Sequence, residues 1–301
     1  MNKLFPLPLY TFLRIAFKNG GFSGKGLLHS PLWFVKTILL EPLRWIELTK
    51  NKKIRQHTLH KSPIFILGYY RSGTTYLQEL FKQDDRFGYL SGFQSAFPEI
   101  MLTNEKWLTP VLVSLTKFFK IQYPIHRIPL SWDAPGEDDV ALTAFMDPLA
   151  AHWGYFFPKK AGEYFDNYVL FANISAKAFE KWKENYMLLL KKISLAFDGK
   201  QIVHKNPPDT ARIKLLLSLF PNAKFVHIYR NPYDVFASKK RVWKVIEKNY
   251  MLGSSKNISY NDIIIKTYSG MMHRYFEDKH LIPTGQLAEL RYEDFIKDPV
   301  S

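Results

Sequence analysis

The stretch "ILGYYRSGTTYL", residues 66–77, sets Gly68 and Gly73 at the separation of a phosphate-binding glycine loop, with a hydroxyl residue, Thr75, at its end. A loop of this kind, placed between a strand and a helix, aims backbone N–H groups and the positive end of a helix dipole at an anion. Thr74, however, stands where the loop's lysine belongs. That lysine bridges the outer phosphates of a nucleoside triphosphate, and the closing hydroxyl holds magnesium. Its absence calls for a different anion.

Outward from the loop, "PIFILG" (63–68) reads as a short buried parallel strand, and Leu77, Leu80 and Phe81 carry the spacing of a helix that starts at Thr75. The second half repeats the pattern. "QIVHK" (201–205) reads as a strand and "TARIKLLLSLF" (210–220) as a helix with Ile213, Leu216, Leu217 and Phe220 on one face. "AKFVHIYR" (223–230) is a further strand, Pro232 takes the first turn of the next helix, and "AELRYEDF" (288–295) reads as a late strand. Alternating strands and helices predict a three-layer α/β/α fold around a central parallel sheet, like that of the P-loop nucleotide-binding proteins. Residues 90–200 read as a mostly helical insertion on the acceptor side. The basic stretch "KNKKIRQHTLHK" (50–61) separates a helical N-terminal extension, 1–61, from the main domain, 62–301.

Of the 301 residues, 47% are hydrophobic, enough for a packed core. A net charge of +15 favours an anionic partner: a nucleotide, a sulfated or phosphorylated ligand, a nucleic acid or an anionic membrane. The lack of cysteine excludes disulfides, thiolate metal sites and cysteine nucleophiles. The N-terminal piece "LPLYTFL" sits among Pro6, Pro8 and Arg14 without a small-residue cleavage site, so cytoplasmic residence is the expectation. No run approaches the roughly 18 apolar residues of a membrane span. "SPLWFVKTILLEPLRWIELTK" (30–50) has a broad apolar face that either covers the core or rests peripherally on the inner face of a membrane.

Ligands of open α/β sheets bind beyond the carboxyl ends of the strands. There the sequence sets three cations, Arg71, Lys205 and Arg230, with Ser238 eight residues past the last. A metal-dependent NTPase ends a nearby strand with an aspartate for magnesium. These strand ends carry Lys and Arg instead, which reads as a site that needs no metal.

At this point "FILGYYRSGTTYLQELF" (65–81) and "FVHIYRNPYDVFASK" (225–239) resemble the two nucleotide signatures of the sulfotransferase family. The resemblance implies 3′-phosphoadenosine 5′-phosphosulfate as donor, which has no γ-phosphate for a loop lysine to hold. It further implies that Arg71, Ser72, Gly73, Thr74 and Thr75, with Tyr76 beside them, hold the 5′-phosphosulfate, and that Arg230 and Ser238 hold the 3′-phosphate. "HKNPPDTARI" (204–213) resembles the Lys-x-Pro segment of the Arg-Ser-Gly-Thr-Thr branch, which sets Lys205 near the transferring sulfuryl group. "SWDAPGEDDVAL" (131–142) resembles an acidic segment of a prokaryote-rich branch, making Glu137, then Asp138, candidate bases. A plain helix N-terminal charge is the other reading of these acids. His152 and His204 are further proton-transfer candidates. Trp132, Trp153, Tyr155, Phe156 and Phe157 line an acceptor pocket or belong to the core.

The implied reaction moves a sulfuryl group to a hydroxyl, less readily an amine, of a small molecule, glycan or lipid, with no nucleic-acid partner. Two other readings remain open: a P-loop kinase or NTPase that requires magnesium, and a non-enzymatic binder of nucleic acid or anionic membrane. The chain stops at "RYEDFIKDPVS" (291–301), where members of the family continue into an element that closes over the donor, so the C-terminus reads as truncated.

Overall fold

The computed structural model describes residues 8–123, 129–145 and 147–299. Four helices lead: α1 (Pro8–Lys18), α2 (Gly24–Leu39), α3 (Glu41–Leu48) and α4 (Asn51–Gln56). Ser23 caps α2 by accepting the Gly26 N–H at 2.9 Å. Strand β1 (Ile64–Leu67) is buried along its whole length, as a central strand covered on both faces should be. Then come α5 (Thr74–Phe81) and β2 (Phe87–Tyr89). The 90–200 region holds α6 (Gly92–Ala96), α7 (Met101–Phe118), α8 (Asp138–Ala144), α9 (Trp153–Phe156), α10 (Ala161–Tyr168) and α11 (Ala176–Ala196). Strand β3 (Gln201–Lys205) leads through α12 (Ile213–Leu219) to β4 (Lys224–Tyr229). The chain closes with α13 (Pro232–Asn249), α14 (Tyr260–Asp278), β5 (Leu287–Arg291) and α15 (Tyr292–Phe295).

The five strands form a parallel sheet in the order β2-β3-β1-β4-β5. The chain leaves central β1 to one side and later crosses to β4 on the other, a topological switch at the carboxyl ends of β1, β3 and β4. Register sets Ile66 beside Lys205 and Leu67 beside His227, so the loops after these strands share one edge.

Three local details differ from the sequence reading. Helix α5 begins at Thr74, because Gly73 takes the N-cap in a left-handed conformation. After β3, Pro207 and Pro208 impose a short 3-10 turn (Pro207–Ala211), so α12 starts only at Ile213. Residues 292–295 leave the expected strand and coil into α15. The core runs unbroken from Phe12 and Ile15 in α1 through Phe65 in β1 to Trp153, Leu189 and Tyr275.

Candidate active site

The loop after β1 is held by close backbone packing. Gly68 has φ 145°, and a Cβ there would lie 2.5 Å from the Ile228 carbonyl oxygen, so only glycine fits. Its N–H donates to Thr210 Oγ1 at 2.8 Å. Ser72 Oγ donates to the Tyr69 carbonyl at 2.7 Å. Arg71 sits at φ 74°, an unfavourable angle for a side-chain-bearing residue that is met at functional loops. Gly73, φ 104°, lies against the Tyr292 ring, where a Cβ would come within 2.4 Å of Cδ2. Thr74 is buried in the first turn of α5, Thr75 and Tyr76 are exposed, and Tyr76 leans on Phe295 at 5.4 Å.

Beside this loop Arg71 Nε donates to Ser238 Oγ at 3.0 Å. Ser238 is therefore joined to Arg71, whereas the sequence reading grouped it with Arg230. Arg230 stacks on Tyr292 at 4.4 Å, and its Nε is buried without a hydrogen-bond partner among the described residues. Burial lowers the Arg71 pKa, and the charge of Arg230 lowers it further. Two guanidiniums held this close favour an anion between or beside them. Glu293 accepts the Asn231 N–H at 2.9 Å, so the segment after β5 is tied to the turn that follows β4.

Across the loop, Lys205 Nζ donates to Glu137 Oε1 at 2.6 Å. The lysine is 2% exposed and the glutamate 22%. Glu137 occupies the N-cap of α8 but caps nothing, since its side chain turns to Lys205 instead. Burial alone would raise its carboxyl, yet Lys205 beside it holds it below the ordinary value. His152 Nε2 stands 3.7 Å from Glu137 Oε2, and burial lowers the imidazole pKa, so it is neutral near pH 7.

What brings α8 to the end of β3 is a buried polar cluster that the sequence reading missed. Asn206 donates to Asp139 Oδ2 (2.6 Å) and to Asp209 Oδ1 (3.0 Å), and Arg212 Nη1 donates to the same two carboxylates at 2.8 and 3.0 Å. The guanidinium carbon lies over the Trp182 ring, 4.7 Å from its centre. Asp138 is fully buried and faces His204 Nδ1 at 3.2 Å, while His204 stacks on Phe65. Both side chains are buried, 1% and 4% exposed.

Lys239 is the other residue the sequence reading missed. Its Nζ donates to Tyr155 Oη at 2.6 Å and sits 3.7 Å from the Tyr70 ring centre. Burial drives its pKa down to about 7, against the opposing pull of Glu137. Tyr70, Tyr155, Lys239, Trp243, Phe165 and Met271 line a cavity of about 40 Å³ beside the loop. Of the five aromatic residues singled out in sequence, Tyr155 lines this cavity, Trp153 and Phe157 are buried in the core, Phe156 packs on Trp33, and Trp132 packs on Phe97.

A glycine loop without lysine, with two arginines and a serine on one side and a lysine–carboxylate pair on the other, lies next to an aromatic-lined cavity. Residues 63–301 match the model of the sulfotransferase family. The chain belongs to that family. Among curated proteins, this family member is 29% identical over 255 residues to the omega-hydroxy-beta-dihydromenaquinone-9 sulfotransferase Stf3 of Mycobacterium bovis and to that of Mycobacterium tuberculosis. The match takes in 85% of this chain and 64% of each relative, so the chain spans just under two thirds of their length. Among solved structures, sulfotransferase STF9 from Mycobacterium avium superposes with a TM-score of 0.71 at 15% identity, covering 99% of this chain and 82% of that one. Sulfotransferase STF1 from Mycobacterium tuberculosis gives 0.69 at 17% identity, covering 97% and 79%. These two share the three-layer fold with this sulfotransferase-family chain.

Proposed function

We propose that this protein transfers a sulfuryl group from 3′-phosphoadenosine 5′-phosphosulfate to a hydroxyl of an apolar, lipid-like acceptor. The observation that carries the reading is the 2.6 Å contact between Lys205 and Glu137 at the edge of a glycine loop that lacks the triphosphate lysine. The donor, when bound, supplies an activated sulfuryl group on a phosphate leaving group. The residues present suit it. The backbone N–H groups of residues 72–75 with Arg71 would hold its 5′ end, and Arg230, whose buried Nε lacks a partner among the described residues, would take the 3′-phosphate. Ser238, bonded to Arg71, would link the two anion sites.

Lys205 would set its Nζ against the departing oxygen, where negative charge grows, the kind of fixed electrostatic contact that lowers a barrier. Glu137, ionised at neutral pH, takes the proton from the acceptor hydroxyl, and neutral His152 stands next to it as a relay. Tyr70 and Tyr155 give the acceptor side an apolar wall. The lipid-like character of the acceptor is supported by the name of the Stf3 relatives, which act on a hydroxylated menaquinone.

The test is calorimetric titration without magnesium. The chain should bind 3′-phosphoadenosine 5′-phosphate at least about tenfold more tightly than AMP, the worth of one charge-assisted hydrogen bond, and Arg230→Ala should erase that preference. Lys205→Ala should keep the binding yet lower transfer to an ω-hydroxylated menaquinone about 100-fold or more. A preference for ATP would return the protein to the kinase reading. Equal losses for AMP and the bisphosphate in Arg230→Ala would remove Arg230 from the 3′ site.

A further inference from the structure

Three neighbouring helices each leave apolar side chains facing solvent. In α2 Gly26, Ser30 and Thr37 are buried and Trp33 and Phe34 pack on the core, while Leu28 (79% exposed), Leu32, Val35 and Leu39 face solvent. In α3 the charged Glu47 is buried and Trp45, Ile46 and Leu48 are exposed. In α7 Met101, Asn104 and Thr116 are buried, and Trp107, Val111, Leu115 and Phe118 form an outward stripe at helical spacing. Helix α3 packs against both α2 and α7, so the three helices adjoin. An exposed apolar area of this extent marks an interaction surface on a folded protein.

The charges around it identify the occupant. Lys25, Lys50, Lys52, Lys53, Lys106 and Lys117 are exposed on or beside these helices. Their acidic residues are withdrawn: Glu41 pairs with Arg44 at 2.6 Å, Glu47 with buried Lys192 at 2.8 Å, and Glu105 accepts from Ser91 and Gln94. A second copy of this chain would bring lysines against lysines. Anionic headgroups would neutralise them while acyl chains take the leucines, the pattern of a helix lying in a lipid interface. Among the described residues no helix is long and apolar enough to cross a membrane, so the contact is one of resting on the bilayer.

We propose that α2, α3 and α7 dock this protein on an anionic lipid bilayer. The docking does not depend on the proposed reaction, but it bears on it. On its inner face α2 packs Trp33 on Trp153 and Phe156 of α9, at 5.7 and 5.2 Å, and α9 also carries Tyr155 of the cavity. The bilayer contact and the acceptor side are therefore one helix layer apart.

The experiment is co-flotation of the full chain with vesicles of equal parts phosphatidylglycerol and phosphatidylcholine, and with phosphatidylcholine vesicles alone. The wild type should float with the anionic vesicles and less so as salt rises. Replacing Leu32, Val35, Val111 and Leu115 together by Gln should weaken flotation on the order of tenfold or more, with the thermal unfolding midpoint retained as proof of folding. Flotation of that variant like the wild type would overturn the proposal, as would a wild type that stays in solution. A chain that runs as a dimer, and is split by the same four substitutions without ever floating, would assign the face to a second copy. Because no nucleotide is present, none of these results hinges on the donor assignment.

Discussion

At the scale of single residues, Lys239 is the most informative side chain. Burial between Tyr70 and Tyr155 lowers its pKa to about 7, while an unfolded chain returns it to 10.5. Between those values the unfolded state holds more protons, so this lysine makes stability climb with pH across that window, by up to about 1.4 kcal/mol per pH unit. Urea unfolding at pH 7, 8 and 9 should show that climb in the wild type relative to Lys239→Met; parallel curves would mean that Lys239 titrates normally. The sequence held a sign of this residue. Val235, Lys239, Val242 and Ile246 follow one helical stripe, and a lysine on an otherwise apolar stripe is placed inward by the period alone. Arg71, Lys205 and Arg230 were readable because strand ends point at one edge whatever the side chains do. The pairing of Ser238 with Arg71 was not, since it depends on a left-handed angle at Arg71 that no spacing encodes.

At the scale of elements, the meeting of α8 with the end of β3 rests on Arg212 and the carboxylates of Asp139 and Asp209, all buried. Burial pushes Asp209 up, with Arg212 opposing, whereas Arg212 and Asn206 hold Asp139 below its ordinary value against burial. Removing the cation from such a cluster strands buried negative charge, so Arg212→Met should cost about 3–5 kcal/mol by chemical denaturation. Adding Asp139→Asn to that variant should recover part of the loss, because the stranded charge goes with it. Strictly additive losses would show that the two residues do not act as a unit. Strands β1, β3 and β4 were legible as apolar runs closed by glycine or a cation. Strand β2 was not: three residues with Gly88 in the middle carry no period, and what holds them is parallel pairing with β3, with Phe197 packed where a Gly88 Cβ would stand. The turn of residues 292–295 into α15 was equally hidden, because it follows from the bond between Glu293 and the distant Asn231 N–H.

At the scale of the whole molecule, the basic stretch at 50–61 marks a change in surface charge, while the hydrophobic core runs beneath it without a break. Phe12, Ile15 and Ala16 of α1 lie in the same cluster as Phe65 of the central strand. Trp33 of α2 stacks on Phe12 at 5.8 Å and meets Trp153 at 5.7 Å. Glu47 of α3 binds Lys192 of α11 at 2.8 Å and also accepts the Leu102 and Thr103 N–H groups at the start of α7. One carboxylate thus joins the N-terminal helices to two elements of the main domain. Shared core and shared ion pair together predict that the helices and the sheet unfold as one. Glu47→Gln leaves Lys192 buried without its counter-charge and should cost about 3–5 kcal/mol. In that variant tryptophan fluorescence, which reports partly on Trp33, and far-ultraviolet circular dichroism should fall together at a single lowered midpoint. Two separated transitions, with fluorescence leading, would instead make α1 to α4 a unit that detaches, and the outward leucines of α2 would then belong to an arm that can leave the domain.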